Sequence, residues 1–340
     1  MKNVVIIGGG FGGVYTALNL SKLFKKIDIK IYLIDKKNYF IFVPLIHEIA
    51  VGKISIDNAI VPYIDILNKN IEFLEGEVDL IDLDKKIINV KSFYGNIKLN
   101  YHYLVIATGS KTNFFNIKGA QSNSYELKSL QDALRLKNKL LDLLEICRLT
   151  EKEININIIG GGATEVELSA EIADLVYYYK NIYKNLNVDK IKINLIDKNN
   201  DVLIQFDPRI REKAKNKLIE KKINLFLNKE VEEIGESYIK FKDGYKINSD
   251  INIWVAGVAP NLPNIVGDIK LDKTGKIIVN EYLQVKDYKE VFALGDCAYF
   301  LQNNKPLPNL AQVAFKQSKT VALNIYNLEN KKELKKFIYK

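Results

Sequence analysis

The sequence predicts an α/β protein built on two dinucleotide-binding βαβ units, and three observations carry the prediction. The chain opens with a β-rich run, Val4-Val5-Ile6-Ile7, that enters Gly8-x-Gly10-x-x-Gly13; a helical pattern follows through Ala17, Leu18, Leu20, Leu23 and Phe24. The same series recurs about 150 residues on, with residues 154–159, then Gly160-Gly161-Gly162, then a helical pattern through Val166, Leu168, Ala170, Ile172 and Leu175. In each unit the next apolar strand, residues 30–34 and 192–196, ends in a carboxylate, Asp35 and Asp197.

In the opening unit Gly8 permits the tight turn, Gly10 lets backbone come up to a pyrophosphate, and Gly13 lets the helix pack on the strand, with Phe11 and Gly12 completing the loop. The free N–H groups and positive end of the helix face the phosphates. Asp35 lies roughly 20 residues past Gly13, where a carboxylate accepts hydrogen bonds from a ribose, and Lys36 follows it. The second unit departs at one place: Glu165 stands where the third glycine belongs, Gly160-x-Gly162-x-x-Glu165. A glutamate in a glycine-tight contact is expected to make the helix stand off the strand. It also brings negative charge towards a pyrophosphate, so weak nucleotide binding is expected there.

The remaining segments fit around these units. Residues 36–47 are apolar and aromatic with Pro44 among them, the composition of a loop lining a flat ring or packing on a core. Short β-rich runs cover 71–78, 86–91 and 97–99, with Gly95-Asn96 as a turn. Residues 103–106 form a buried strand ending in Ala107-Thr108-Gly109-Ser110, small enough for backbone to press on a ligand. A helix is expected over 127–147, a turn at 150–153, a helix and then strands over 208–246, and a hairpin over 277–285. Residues 250–257 echo 103–109 and end in Gly257. The strand 291–294 delivers Gly295-Asp296 at a carboxyl end, the edge where open α/β sheets bind ligands. A last helix, with Asn309 as its expected N-cap, begins near Ala311-Gln312 and carries Lys316-Gln317.

Composition narrows the class. Lysine supplies most of a net charge of +9, and it is dispersed, which marks a solvated surface or one drawn to anionic cofactors and lipid rather than a nucleic-acid site. Two distant cysteines, Cys147 and Cys297, and two histidines, His47 and His102, show no metal-ligand spacing, so no metal is expected and the histidines read as structural. No apolar run reaches the roughly 18–20 residues a membrane span requires. The first strand begins at residue 4, ahead of which no signal peptide fits. The cytoplasm is the expected location.

Together these stretches resemble the two-dinucleotide-binding-domain flavoproteins, of glutathione-reductase-like fold. Within that group they look most like the type II NADH dehydrogenases, the single-subunit NADH:quinone oxidoreductases. The resemblance runs through residues 6–13, 34–39 with Pro44-Leu45, 103–110, 160–171, 254–261, 292–298 and 311–317, in the family's order. It implies FAD on the first loop (Gly8, Gly10, Phe11, Gly12, Gly13), with Asp35 and Lys36 at its ribose, Thr108 and Gly109 along it, Gly295-Asp296 at its ribityl chain and Ala311-Gln312 beside its ring. It implies NADH as substrate on Gly160 and Gly162, with Asp197 at its ribose, Gly257 close by and Glu167 near the nicotinamide; Lys198 leaves NADPH open. Gln312, Lys316 and Gln317 would border a quinone pocket, where the family usually carries Gln-Gln in place of Lys316-Gln317.

The resemblance further implies two-electron transfer from NADH through FAD to a membrane quinone without proton pumping, by an enzyme peripheral on the inner face of the cell membrane. An anionic membrane surface is an expected partner, a homodimer an allowed state. The domains implied are 1–115 with 275–330 for FAD and 116–274 for NAD(H). Residues 331–340 would begin a C-terminal, membrane-anchoring region that members normally carry further. Two other readings stand beside this one: a sulfide:quinone oxidoreductase-like enzyme using Cys147 and Cys297, and a flavin-binding regulatory protein with a degenerate nicotinamide site.

Overall fold

The computed structural model describes residues 2–24 and 29–340. Contacts divide the chain into two units: Met1–Ile41, Ile60–Lys111 and Ala259–Lys340 in the first, Phe42–Ala59 and Thr112–Val258 in the second.

The first unit is organised on a six-stranded sheet in the order Gln284–Val285, Tyr288–Ala293, Tyr103–Ile106, Lys2–Ile7, Ile29–Asp35, Ile71–Glu75. All neighbours are parallel except the first pair. Parallel strands covered on both faces read as unbroken apolar runs, and Val4, Val5, Ile6, Leu104, Val105 and Ile106 are fully buried. Strand register sets where the loops emerge. Ile7 pairs with both Ile34 and Ile106, and Ile106 with Ala293, so the four strands end together along one edge. Helix Phe11–Leu23 packs against helix Ala311–Glu329.

A second, mostly antiparallel sheet in this unit runs Asn264–Val266, Glu77–Asp82, Ile87–Ser92, Gly95–Asn100. The single run expected over 71–78 is broken at Gly76, where the chain passes from one sheet to the other. A side chain there would meet the Lys91 carbonyl oxygen at 2.8 Å. The hairpin expected over 277–285 closes on an antiparallel bridge between Val279 and Val285, while Ile277–Ile278 pairs in parallel with Ala298–Tyr299 and Gln284–Val285 joins the main sheet.

The second unit carries a parallel sheet in the order Asn224–Phe226, Ile191–Ile196, Ile154–Ile159, Ile251–Trp254. Ile159 pairs with Ile196 and with Trp254, again aligning the carboxyl ends. Helix Leu130–Thr150 starts three residues later than the periodicity suggests because Ser129 and Asp132 form a reciprocal capping box. Helix Pro208–Glu220 is capped by the Asp207 side chain.

The division differs from the expected domain boundaries in four places: residues 112–115 fall in the second unit, residues 331–340 fall in the first, with Phe337 in its core, and two longer stretches also change sides. Residues 42–59 join the second unit because helix Ile46–Ala50 buries Ile46, Ile49 and Ala50 against Leu130–Thr150 and Ala163–Ile182, with Lys53 pairing to Glu171 at 2.6 Å. Residues 259–274 join the first because Asn264–Val266 adds to its antiparallel sheet.

Candidate dinucleotide sites

The first loop leaves its strand at Gly8, whose N–H donates to the Ile34 carbonyl at 2.8 Å. Gly8 has φ +98°, and a Cβ there would fall 2.3 Å from the Ala107 oxygen, so only glycine fits. Gly13 is equally closed: its Cβ would lie 1.8 Å from the Gly8 oxygen. Gly10 is different. It is the N-cap of helix Phe11–Leu23, makes no side-chain cap, and has open space where its Cβ would point. The helix N-terminal N–H groups are thus left for a ligand. Phe11 packs edge-to-face on Phe40, and Gly12 lies over Leu294.

Asp35 sits at the end of the adjacent strand. Its Oδ2 accepts from Gly9 N–H at 2.5 Å and its Oδ1 from Lys37 N–H at 2.9 Å, so the acid is rigidly placed beside the loop. Nothing local in the sequence marks Tyr63, yet its hydroxyl donates to the Gly9 carbonyl at 2.7 Å and braces the loop from below. Lys36 pairs with Glu77 on the surface. A cleft of about 290 Å³ opens along this edge, lined by Gly8, Asp35, Lys36, Thr108, Ser110 and residues 261–263 among others. Thr108 Oγ1 is buried there with no hydrogen-bond partner among the described residues, and Gly109 at φ +68° has open space beside it.

Asp296 follows the strand Tyr288–Ala293 in a single 3-10 turn, and its Oδ2 accepts from the Ser110 hydroxyl at 2.7 Å. Gly295 takes φ +71° and donates its N–H to Gln317 Oε1 at 2.8 Å. Gln317 is therefore corrected from a pocket residue to a positioning one: it is 2% exposed and turned inward, fixing the turn that carries Asp296. Asn309 is corrected as well. Helix Ala311–Glu329 has Leu310 as N-cap with no side-chain cap, while Asn309 Oδ1 accepts from Lys276 Nζ at 2.7 Å. In its first turn the N–H groups of Val313 and Ala314 donate to the Leu310 carbonyl, which leaves those of Ala311 and exposed Gln312 at the open end. Lys316 is exposed; its ammonium donates to the Lys340 carbonyl and stands 4.7 Å over the Tyr339 ring.

The second loop repeats the first in backbone. Gly160 N–H donates to the Ile196 carbonyl at 2.8 Å, and Gly162 is the uncapped N-cap of helix Ala163–Ile182. The Glu165 side chain folds back against the loop: a Cβ on Gly162 would lie 2.9 Å from its Oε2, in the direction that is open at Gly10. A Cβ on Gly160 would lie 2.2 Å from Glu165 Oε1. Glu165 is 6% exposed, and burial pushes its carboxyl up to about 7 from an ordinary 4.5. Asp197 reaches Gly161 closely, while its Oδ1 accepts from the Asn199 N–H and side-chain amide, both at 2.6 Å. Glu167 is exposed and lies 3.8 Å from Nδ1 of buried His47. Gly257, at φ +101°, backs onto the Phe115 ring.

Cys147 and Cys297 belong to different units and are 1% and 0% exposed. Burial pushes both thiols up, the opposite of what a reactive thiolate requires. Among the described residues no His/Cys/Asp/Glu group is arranged to hold a metal, and no helix is long and apolar enough to cross a membrane.

Fold and loops define a class: an α/β oxidoreductase with two dinucleotide sites. The pattern of the Pyridine nucleotide-disulphide oxidoreductase family matches residues 2–318. A Haemophilus influenzae protein named type II NADH:quinone oxidoreductase is 32% identical over 372 residues, spanning 100% of this chain and 83% of its own length. The chain belongs to this family, and within it to the type II NADH:quinone oxidoreductases. In fold it is similar to NDH2 from Plasmodium falciparum in complex with NADH, with a TM-score of 0.89 at 24% identity over 100% of this chain and 86% of that one. It is also similar to the sulfide:quinone oxidoreductase of Aquifex aeolicus, with a TM-score of 0.82 at 25% identity over 97% and 78% of the two chains.

Proposed function

We propose that this chain is a FAD-dependent enzyme passing two electrons from NADH to a quinone, without proton pumping. The observation that carries the reading is the pair of uncapped glycine loops, each at the carboxyl edge of its own parallel sheet with an acid closing the next strand. The first loop suits FAD: an open space at Gly10 for a pyrophosphate, Asp35 for a ribose, and the orphaned Thr108 hydroxyl and Asp296 for further polar groups of the cofactor. When bound, FAD supplies the two-electron chemistry.

The residues of the chain bind, orient and bias. Gly8, Gly12 and Gly13 keep side chains out of the cradle. Gln317 holds Gly295-Asp296, and the first turn of Ala311–Glu329 offers uncapped N–H groups that favour negative charge by about 0.3–1 kcal/mol. Gly160, Gly162 and Asp197 would take NADH, with Gly257 and Glu167 near its nicotinamide end. Gln312 and exposed Lys316 would meet the quinone. The FAD domain corresponds to 1–115 with 275–330 and the nucleotide domain to 116–274, adjusted by the contacts described above. The lysine-rich surface supports peripheral attachment to an anionic membrane, on the inner face of the cell membrane. Anaerobic NADH added to the yellow protein should bleach the flavin absorbance near-stoichiometrically, and a quinone should restore it. A flavin that stays oxidised under excess NADH overturns the reading.

A further inference from the structure

At the position where the first loop admits no side chain at all, the second carries a buried carboxyl. Glu165 lies three residues past Gly162, in the first turn of Ala163–Ile182, and its side chain is buried against the loop. A Cβ on Gly160 would meet its Oε1 at 2.2 Å, and one on Gly162 its Oε2 at 2.9 Å. The carboxyl is thus held against the same two glycines, at the same helix N-terminus, that a pyrophosphate would use. The charged groups facing it are Asp197 at the end of the neighbouring strand, Glu167 on its own helix, and Lys128 ahead of Leu130–Thr150. Two acids and one base surround it. An ionised Glu165 would be a further negative charge, little screened because it is buried, against a ligand bearing two.

We propose that Glu165 makes dinucleotide binding at the second loop proton-linked: the pyrophosphate binds with the Glu165 carboxyl neutral, and above neutral pH each nucleotide bound draws one proton from solvent. This rests on the reading of the second loop as the NADH site. Burial and the two flanking acids raise the carboxyl to about 7, which puts the linkage in the working range of an enzyme. With that value, affinity falls about tenfold between pH 6 and pH 8. The same loop with glutamine or glycine at this position has nothing to titrate.

The test is calorimetric titration of the flavin-loaded protein with NAD⁺, which binds without reducing the flavin, at pH 6, 7 and 8 in two buffers of different ionisation enthalpy. Wild type should bind about tenfold more weakly at pH 8 than at pH 6, with uptake close to one proton per nucleotide at pH 8. Glu165→Gln and Glu165→Gly should be flat across this range and match or exceed wild type at pH 8. Proton uptake is read on wild type alone, so the proposal stands or falls even if both variants misfold. Flat wild-type binding without proton uptake, as when the side chain swings clear, overturns it, and so does a pH dependence that survives in Glu165→Gln. Absence of NAD⁺ binding at every pH in all three proteins overturns the assignment of the loop itself, and the proposal with it.

Discussion

Glu165 is neutral in the folded protein up to about pH 7 and would ionise near 4.5 when unfolded. A carboxyl raised in this way adds stability that is fully present below pH 4.5, declines as pH rises from 4.5 to 7, and is gone above 7. The difference amounts to roughly 3 kcal/mol. Denaturant melts of wild type and Glu165→Gln should therefore diverge with pH, the variant gaining on wild type by about that amount from pH 4.5 to 8. Parallel curves would mean the carboxyl is ionised or exposed. The glycines of the first loop divide by the same kind of local argument. Gly10→Ala should keep the melting temperature and lose flavin, because its methyl points into open space at the phosphate position. Gly13→Ala should lose roughly 1–3 kcal/mol of stability, because its methyl collides with the Gly8 carbonyl. Flavin content and melting temperature, measured together, separate the two.

At the scale of elements, helix starts decide how the chain is divided between structure and ligand. Ser129 caps Leu130–Thr150 and Asp207 caps Pro208–Glu220, so those ends are satisfied within the protein. Phe11–Leu23, Ala163–Ile182 and Ala311–Glu329 begin without a side-chain cap. Among the described helices of 13 residues or more, the uncapped ends are the ones beside candidate sites, which is how orphan N–H groups are kept for an anion. Ser129→Ala should cost about 1 kcal/mol, read as a lower midpoint in urea with flavin content unchanged. Loss of flavin in that variant would show that the helix does more than support its unit.

For the whole molecule, the family relation leaves two neighbouring chemistries to separate, since a sulfide:quinone oxidoreductase shares the fold. Both cysteines are closed inside the cores of separate units. The double substitution Cys147→Ala with Cys297→Ala should retain NADH-driven quinone reduction within about twofold, since filling buried thiol positions with methyl groups costs packing and removes no reactive group. Its abolition in a protein that still binds flavin and folds would restore the thiol-based reading.

Much of this was legible in residue order, because it depends on neighbours in the chain. Val4-Val5-Ile6-Ile7 before three glycines, the echo at residues 154–162, and Asp35 and Asp197 after their strands state two βαβ units, because strand, turn and helix are local choices of backbone and burial. Where those units put their chemistry was decided by tertiary structure. Strand register brings Gly8, Asp35, Thr108 and Asp296 to one edge, joining Ser110 to Asp296 across a gap no local pattern spans. Packing turned Gln317 inward, left Asn309 bonded to Lys276, and folded the Glu165 carboxyl against Gly160 and Gly162, because the direction of a side chain is set by what fills the space around it.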